Sequence, residues 1–235
     1  MNPYNPYAQP ASESRIASDS SNAFLRKVYA YMAGGLFATA VTATAVASSE
    51  TLVNVIVGNR IVFIGLLLGE FAMVVAFSAL VNRISAGAAA ALFFAYAVVN
   101  GLTMSVIFLA YTASSIGSTF FVTAGTFGAV SAYGYATKRD LSGLGSFAMM
   151  GLFGLIIASV VNLFLHSTMI YWLTTFVGVI VFTGLTAYDT QKLKRFASAS
   201  SPAEQSKVAV QGALMLYLDF INLFLYMLRL LGRRR

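Results

Sequence analysis

Cysteine is absent from this chain of 235 residues, and histidine occurs once, at His166. The absence of cysteine excludes disulfides, thiolate metal sites and thiol nucleophiles. A single histidine does not suffice for a histidine-based metal cluster. We therefore expect no resident cofactor.

Charged residues are also scarce. They make up 10% of the chain, whereas hydrophobic residues make up 58%. A soluble globular domain has about 25% charged residues, so this composition predicts an all-α polytopic membrane protein. The net charge of +7 would suggest nucleic acid as the partner of a soluble protein. In a membrane protein the same lysines and arginines fix the topology, so we expect the lipid bilayer as a partner and no nucleic acid.

Proline is rare, and three of the four prolines lie within residues 1–22. This polar segment, rich in serine and asparagine, is predicted to be a disordered tail. Residues 23–235 are predicted to form a bundle of seven transmembrane helices, each about 20 residues long. The predicted spans are 27–48, 61–82, 86–110, 113–136, 146–166, 170–190 and 210–231.

The lysine and arginine counts predict the orientation. With the N-terminus in the cytoplasm, ten of these residues face the cytoplasm and five face the other side, as the positive-inside rule requires. The ten are Arg15, Arg26, Lys27, Arg83, Lys138, Arg139, Lys192, Lys194, Arg195 and Lys207. The five are Arg60, Arg229, Arg233, Arg234 and Arg235. The C-terminal arginines favour an alternative, in which six full spans and a partly inserted last segment return them to the cytoplasm.

Glycines recur inside the predicted spans. Gly65 and Gly69 form a GxxxG pattern in the second span. Because glycine lets two helices approach closely, this pattern predicts a helix–helix contact there.

The last hydrophobic segment carries a carboxyl group near its centre, Asp219. A charge at such depth is costly and almost always faces a bundle interior or a water-filled cavity. Asp189, at the end of the preceding hydrophobic segment, is the best candidate for its partner. Two acids brought together inside a membrane cannot both ionise easily, so the pair should hold a proton near neutral pH. This arrangement predicts a pH-sensitive site.

Other polar side chains lie within or beside the spans. Glu70 lies inside the second span, and Arg83 follows its end. Asn222 follows Asp219 by three residues and so shares its helix face. The buried amides are Asn100, Asn162 and Asn222. A cavity lined by Glu70, the two aspartates and these amides would offer oxygen ligands suited to calcium.

Each of these residues also has a structural interpretation. Asp189 precedes Lys192 by three residues and could be an interfacial acid paired within its own helix. Asp219 could be a protonated aspartate that hydrogen-bonds across helices. Glu70 could be a neutral packing acid, and Arg83 could be a topology signal whose charged end reaches the interface.

Three segments carry a resemblance to a known family. They are residues 133–143 (YGYATKRDLSG), 179–194 (VIVFTGLTAYDTQKLK) and 213–232 (ALMLYLDFINLFLYMLRLLG). Through these segments, and over nearly all of the chain after residue 22, the sequence resembles the Bax inhibitor-1 family in its bacterial inner-membrane branch. The resemblance implies a seven-helix bundle whose last helix is surrounded by the other six. It also implies a pH-dependent calcium leak governed by two aspartates, which match Asp189 and Asp219.

The resemblance implies roles for two further residues. In the family, an arginine at the end of the second span pairs with the first aspartate, and Arg83 is its match, although the local spacing departs by a couple of residues. Glu70 matches an acidic position that some relatives replace with an amide. Family members are also linked to suppression of cell death in eukaryotes and to regulation of a membrane protease in bacteria.

The hypothesis that joins these features is a pH-dependent cation leak channel of the inner membrane. Asp189, Asp219 and Arg83 would gate it, Glu70 and Asn222 would line the cation path, and the two aspartates could bind the transported calcium. The alternative is a non-conducting regulator of other membrane proteins, such as a membrane protease. An intramembrane aspartyl protease also uses two acids on adjacent helices, but Asp219 lacks the Gly-x-Gly that precedes the acid in that class. We expect no enzymatic activity.

Overall fold

The computed structural model describes residues 10–199 and 202–235, with side chains described for 21–197 and 205–235. This part of the chain forms eight α-helices and no strand, apart from an isolated bridge between Tyr111 and Arg234. The helices are α1 (Pro10–Ala47), α2 (Glu50–Ile56), α3 (Arg60–Leu80), α4 (Ala86–Ala110), α5 (Ala113–Ala136), α6 (Ser142–Leu165), α7 (Thr168–Ala199) and α8 (Pro202–Leu231). The predicted all-α membrane fold is confirmed.

The predicted count of seven helices is off. The short helix α2 is an addition, since it occupies the connection between the first two predicted spans. Among the described residues, six helices are long and apolar enough to cross a membrane, namely α1, α3, α4, α6, α7 and α8. α5 has the predicted bounds but is not one of these six, because serine, threonine and glycine dilute its apolar residues.

Short polar side chains set the starts of several helices. Asn59 accepts hydrogen bonds from two backbone N–H groups in the first turn of α3, and Ser85 does the same once for α4. These caps supply partners for N–H groups that the helix itself cannot satisfy. At other ends the helices outrun the predicted spans. α7 continues to Ala199 and α8 begins at Pro202, because a helix need not end where the hydrocarbon does.

The first helix begins inside the predicted tail. α1 starts at Pro10, and proline is well suited to a first turn because its missing N–H would have no partner there. Residues 10–22, predicted to be disordered, therefore belong to α1. The rest of the predicted tail, residues 1–9, lies outside the described residues.

α8 is the central helix of the bundle. In its apolar segment 67% of the residues are buried, against 6% in α3. α8 packs against α1, α4, α5 and α7. Four helices rather than the expected six therefore surround it, because α3 packs mainly on α4 and α6 packs on α7.

One end of the bundle, which we call the basic end, holds the linker 137–141 and the lysines Lys27, Lys194 and Lys207. Lys194 of α7 donates to the carbonyl oxygen of Tyr135 at the end of α5. Lys207 of α8 donates to the carbonyl oxygen of Asn82, just after α3. Lys27 of α1 donates to Ser206 near the start of α8, so the start of α8 and the ends of α3, α5 and α7 meet at this end beside the middle of α1.

The opposite end, which we call the C-terminal end, holds residues 231–235. There the chain after α8 pairs with the linker between α4 and α5. The Thr112 N–H donates to the Arg233 carbonyl oxygen at 3.2 Å, and the Arg235 N–H donates to the Ala110 carbonyl oxygen at 3.0 Å. α5 thus starts at the C-terminal end and finishes at the basic end.

A glycine permits one close helix crossing near the basic end. A Cβ at Gly134 of α5 would collide with the backbone carbonyl of Ala187 on α7, so these two helices touch through their backbones. The predicted contact at Gly65 and Gly69 is wrong. A Cβ at either position would have no neighbour within 4 Å, because that face of α3 lies on the outside of the bundle.

Candidate functional site: a buried pair of aspartates

Asp219 lies in the middle of the central helix α8 and is only 5% exposed. Its Oδ2 atom has no hydrogen-bond partner. Among the described side chains, the only other buried polar atom without a hydrogen-bond partner is Ser131 Oγ on α5. A buried polar atom without a partner is unfavourable, since nothing replaces the water it has lost. Asp219 is therefore the acid among the described side chains with a buried oxygen that has no partner.

The structure brings Asp189 to Asp219, as the sequence predicted. Asp189 lies on α7 and is 8% exposed, and its carboxyl group is within hydrogen-bonding reach of the Asp219 carboxyl. An ionised carboxylate has no hydrogen to donate. A hydrogen bond between the two groups therefore requires one of them to carry a proton.

Close packing of α7 against α8 holds the two acids together. The helices run antiparallel, with Gly212 of α8 against Leu193 of α7 at one level and Gly178 of α7 against Tyr226 of α8 at another. A Cβ at Gly212 or Gly178 would approach the facing side chain to 2.5 or 2.6 Å. These two contacts lie on either side of the acid pair along the helix axes.

The cation beside the pair is Lys192, one turn after Asp189 on α7. Arg83, the predicted partner of Asp189, does not contact it. Arg83 is exposed and belongs to no ion pair among the described residues. The predicted contact between Arg83 and Asp189 is therefore wrong for this structure, because Arg83 follows α3, and α3 packs on α4 without touching α7.

Gln191, which the sequence analysis did not single out, fastens α7 to the linker between α5 and α6. It is 6% exposed. Its Oε1 accepts from the Leu141 N–H at 3.0 Å, and its Nε2 donates to the Arg139 carbonyl oxygen at 2.8 Å. α7 is thus fixed to this linker two residues after Asp189. Gln191 could have been singled out from the sequence, because it lies in segment 179–194, which carries the family resemblance.

Arg195 extends this attachment to the surface. Its Nη2 atom lies 2.8 Å from Asp140 Oδ1 and 2.8 Å from Gln191 Oε1. The hydrogen bond from Arg195, helped by Ser142, lowers the pKa of Asp140 to about 2. Asp140 is therefore an ionised surface acid throughout the physiological pH range.

Glu70 occupies a different polar site, between α3 and α4. Its Oε2 accepts from Asn100 Nδ2 at 3.1 Å, and its Oε1 accepts from Thr103 Oγ1 at 2.5 Å. Asn100 Oδ1 in turn accepts from the Tyr217 hydroxyl at 2.9 Å, and that hydroxyl lies 2.6 Å from Thr39 Oγ1. This chain of hydrogen bonds joins four helices: α3, α4, α8 and α1.

The predicted common cavity for Glu70 and the aspartates is not formed. Tyr217 and Asp219 are two residues apart on α8, so they lie on different faces of the helix. One face reaches Asn100 and Glu70, and the other reaches Asp189. The two acid sites are consequently separated by the central helix.

The other two predicted amides, Asn222 and Asn162, form hydrogen bonds with backbone groups close to them in sequence. Asn222 donates to the carbonyl oxygen of Leu218 on its own helix at 2.8 Å. Asn162 accepts from the Ser167 N–H at 2.8 Å, just after α6. Neither amide is hydrogen-bonded to an acid in the described part of the chain.

The aspartate pair offers few ligands for a resident metal ion. Calcium takes 6–8 oxygen ligands, whereas two carboxyl groups supply four oxygens. No group of three or more histidine, cysteine, aspartate or glutamate side chains that could hold a metal occurs among the described residues.

Comparison with known proteins gives consistent matches along the chain. Residues 21–235 match the sequence profile of the family described as "Inhibitor of apoptosis-promoting Bax1". The chain is 49% identical over 215 residues to "Inner membrane protein YbhL" of Escherichia coli, which covers 90% of this chain and 92% of that protein. It is 46% identical over 216 residues to an uncharacterized protein of Borreliella burgdorferi, which covers 91% of this chain and 93% of the relative.

Proposed function

The chain belongs to the Bax inhibitor-1 family, and we propose that it is a pH-dependent leak for calcium or other cations, gated by Asp189 and Asp219. The observation that carries this proposal is the contact between the two buried carboxyl groups, one of which has an oxygen without a partner. Such a contact depends on a proton, so it can respond to pH.

The proposed gate works through the charge of the pair. While one proton is shared, the two carboxyl groups attract each other and hold α7 against α8. Loss of that proton leaves two negative charges side by side at low dielectric, where they repel strongly. Lys192 is the charged side chain beside the pair, and Tyr29 of α1 contacts the adjacent Thr190 at 3.5 Å. Separation of α7 from α8 would open a route for cations, so the leak should increase as pH rises.

The test is calcium flux into liposomes that contain the purified protein, measured from pH 5 to pH 8. Wild-type flux should change by up to about tenfold per pH unit, as expected for one titrating proton. Asp219→Asn can donate a hydrogen bond to Asp189 at every pH, so its flux should stay low and nearly independent of pH.

Glu70→Gln is the matched control, since it makes the same change from carboxyl to amide at a half-buried acid elsewhere in the bundle. Because Glu70 lies on the other face of α8 from the aspartates, this variant should leave the pH midpoint of the flux unchanged, and a lower flux would place Glu70 in the cation path. An Asp219→Asn variant that keeps the wild-type pH profile would rule out the gate. Absence of flux from wild-type liposomes at every pH would favour the non-conducting regulator.

We also propose that the protein lies in the inner membrane with its N-terminus in the cytoplasm. The E. coli relative is called an inner membrane protein. The described chain has six helices long and apolar enough to cross a membrane, and α5 also runs from the C-terminal end to the basic end. The basic end would then face the cytoplasm. The test fuses to Arg235 a reporter that is active only in the cytoplasm. Activity of this reporter would contradict the orientation, because residues 231–235 lie at the end opposite the basic end.

A further inference from the structure

A cavity of about 790 Å³ opens at the C-terminal end of the bundle. The ends of α6 and α8 and the start of α7 form its walls. Arg229 and Arg234 line it together with Tyr171 and Trp172, and the lining includes no aspartate or glutamate. The cavity is therefore positively charged, and it lies at the opposite end from the loops of the basic end.

Arg234 is built into this cavity rather than placed on a loose terminus. The residues on either side of it, Arg233 and Arg235, are hydrogen-bonded through their backbones to the α4–α5 linker. The Arg233 N–H also donates to Ser115 Oγ at 2.8 Å. The guanidinium of Arg234 itself donates to the Tyr171 hydroxyl at 2.9 Å.

Arg229 is positioned by aromatic rings. Its guanidinium carbon lies 5.6 Å from the ring centre of Tyr171 and 5.2 Å from that of Tyr226. Contacts of this kind orient a guanidinium while its N–H donors remain available to an anion. Among the described residues the only salt bridge joins Arg195 to Asp140, so neither arginine of the cavity is neutralised by a carboxylate.

The surroundings of the cavity match those of a lipid headgroup. Tyr171 and Trp172 are residues typical of the membrane–water interface. Beside them, Phe164 and Met169 are each 80% exposed, and such side chains are stable against acyl chains. A ligand here would present an anion to the arginines and hydrocarbon to the neighbouring surface.

We propose that this cavity binds the phosphate of an anionic phospholipid, with Arg229 and Arg234 as its ligands. Arginine matches phosphate because its planar fork of N–H groups can donate two parallel hydrogen bonds. Basic pockets between transmembrane helices bind anionic headgroups on the cytoplasmic side of other membrane proteins, and the same chemistry applies at this end of the bundle. The lipid site is independent of the proposed cation leak, because it uses neither aspartate.

The chain provides its own probe, since Trp172 is its single tryptophan and lines the cavity. The protein is reconstituted in phosphatidylcholine bilayers that contain a rising mole fraction of one brominated lipid. The brominated lipid is phosphatidylglycerol in one series and phosphatidylcholine in the other, and both series use the same mole fractions. Bromine quenches tryptophan fluorescence at short range. Brominated phosphatidylglycerol should reach half-maximal quenching at a roughly 25-fold lower mole fraction than brominated phosphatidylcholine, because two arginines act together. Each arginine should contribute about fivefold to this preference.

Arg229→Gln combined with Arg234→Gln should abolish the preference. Arg233→Gln is the matched control, because Arg233 carries the same charge next to Arg234 but does not line the cavity. Equal quenching of the wild type by both lipids overturns the proposal, and so does an equal loss of preference in the Arg233→Gln variant. A third arm adds inorganic phosphate to the detergent-solubilised protein. If phosphate changes Trp172 fluorescence while the bilayers show no preference, the ligand is free phosphate and the lipid assignment is wrong.

Discussion

Two acid sites lie on opposite faces of the central helix α8, one half-buried and one buried, and they are built differently. At the first, both oxygens of Glu70 accept hydrogen bonds from neutral donors, Asn100 and Thr103. At the second, Asp219 contacts another acid, and its Oδ2 has no partner. Both sites place a carboxyl group inside a membrane bundle, yet only one of them satisfies it.

The difference separates a structural acid from a responsive one. A carboxyl group with donors on both oxygens is held in one position, and such a fully satisfied network makes packing more rigid. A pair of carboxyl groups has no such fixed arrangement, since its contact exists only while a proton is present. Depth in the membrane therefore does not identify a functional acid, whereas the identity of its hydrogen-bond partners does.

Replacement of each acid by leucine should give the largest contrast between the two sites. Glu70→Leu leaves the buried Asn100 amide without its acceptor, which should lower the free energy of unfolding by about 1–3 kcal/mol. Asp219→Leu removes an unsatisfied oxygen from an apolar setting. Asp219→Leu also removes the contact with Asp189 but leaves no buried donor unpaired, so its free energy of unfolding should fall by less than that of Glu70→Leu. Denaturation in mixed micelles, followed by circular dichroism, measures both.

Glu70→Gln separates the loss of hydrogen bonds from the change in side-chain volume, because glutamine keeps the length and one acceptor oxygen. The free energy of unfolding of Glu70→Gln should fall between that of the wild type and that of Glu70→Leu. Equal losses for Glu70→Leu and Asp219→Leu would show that the two sites do not differ in the way described above.

The helices could be predicted from the sequence because long apolar runs have no other stable form in a bilayer. α4 and α5 have the predicted bounds, 86–110 and 113–136. The end of α7 and the start of α8 were missed because hydrophobicity marks the membrane, and these helices continue into the polar region at the basic end. The short helix α2 was missed for a related reason, since seven residues in a loop give no span-length signal.

The meeting of Asp189 and Asp219 could also be predicted, because each lies on one of two successive helices and a short connection makes these neighbours. The other residues that surround the two aspartates could not be predicted. Glu70 was expected in the same cavity, but the face of α8 that reaches it carries Tyr217, two residues before Asp219. Arg83 was expected as the partner of Asp189 by resemblance, whereas the packing of α3 on α4 keeps it away. Such choices depend on helix rotation and packing, which local sequence leaves open.

A third acid, Asp140, tests whether proximity to the pair is enough to influence pH response. Asp140 lies in the linker that Gln191 attaches to α7, and it pairs with Arg195 at 2.8 Å in an exposed position. The hydrogen bond from Arg195 lowers its pKa from 3.8 to about 2. A group whose pKa is lowered by folding contributes stability above its unfolded pKa, and that contribution is lost as pH falls from about 4 through about 2. The charge of Asp140 is therefore constant between pH 5 and pH 8.

Asp140→Asn should accordingly have the smallest effect of these changes. Exposed ion pairs contribute little to stability, and Gln191 still holds the linker to α7 through Leu141 and Arg139. The pH midpoint of calcium flux, measured in the same liposomes from pH 5 to pH 8, should equal that of the wild type. A shifted midpoint would mean that the linker, through its charge or its attachment to α7, sets the pH response. The contrast between the buried pair and the other acids would then no longer account for gating.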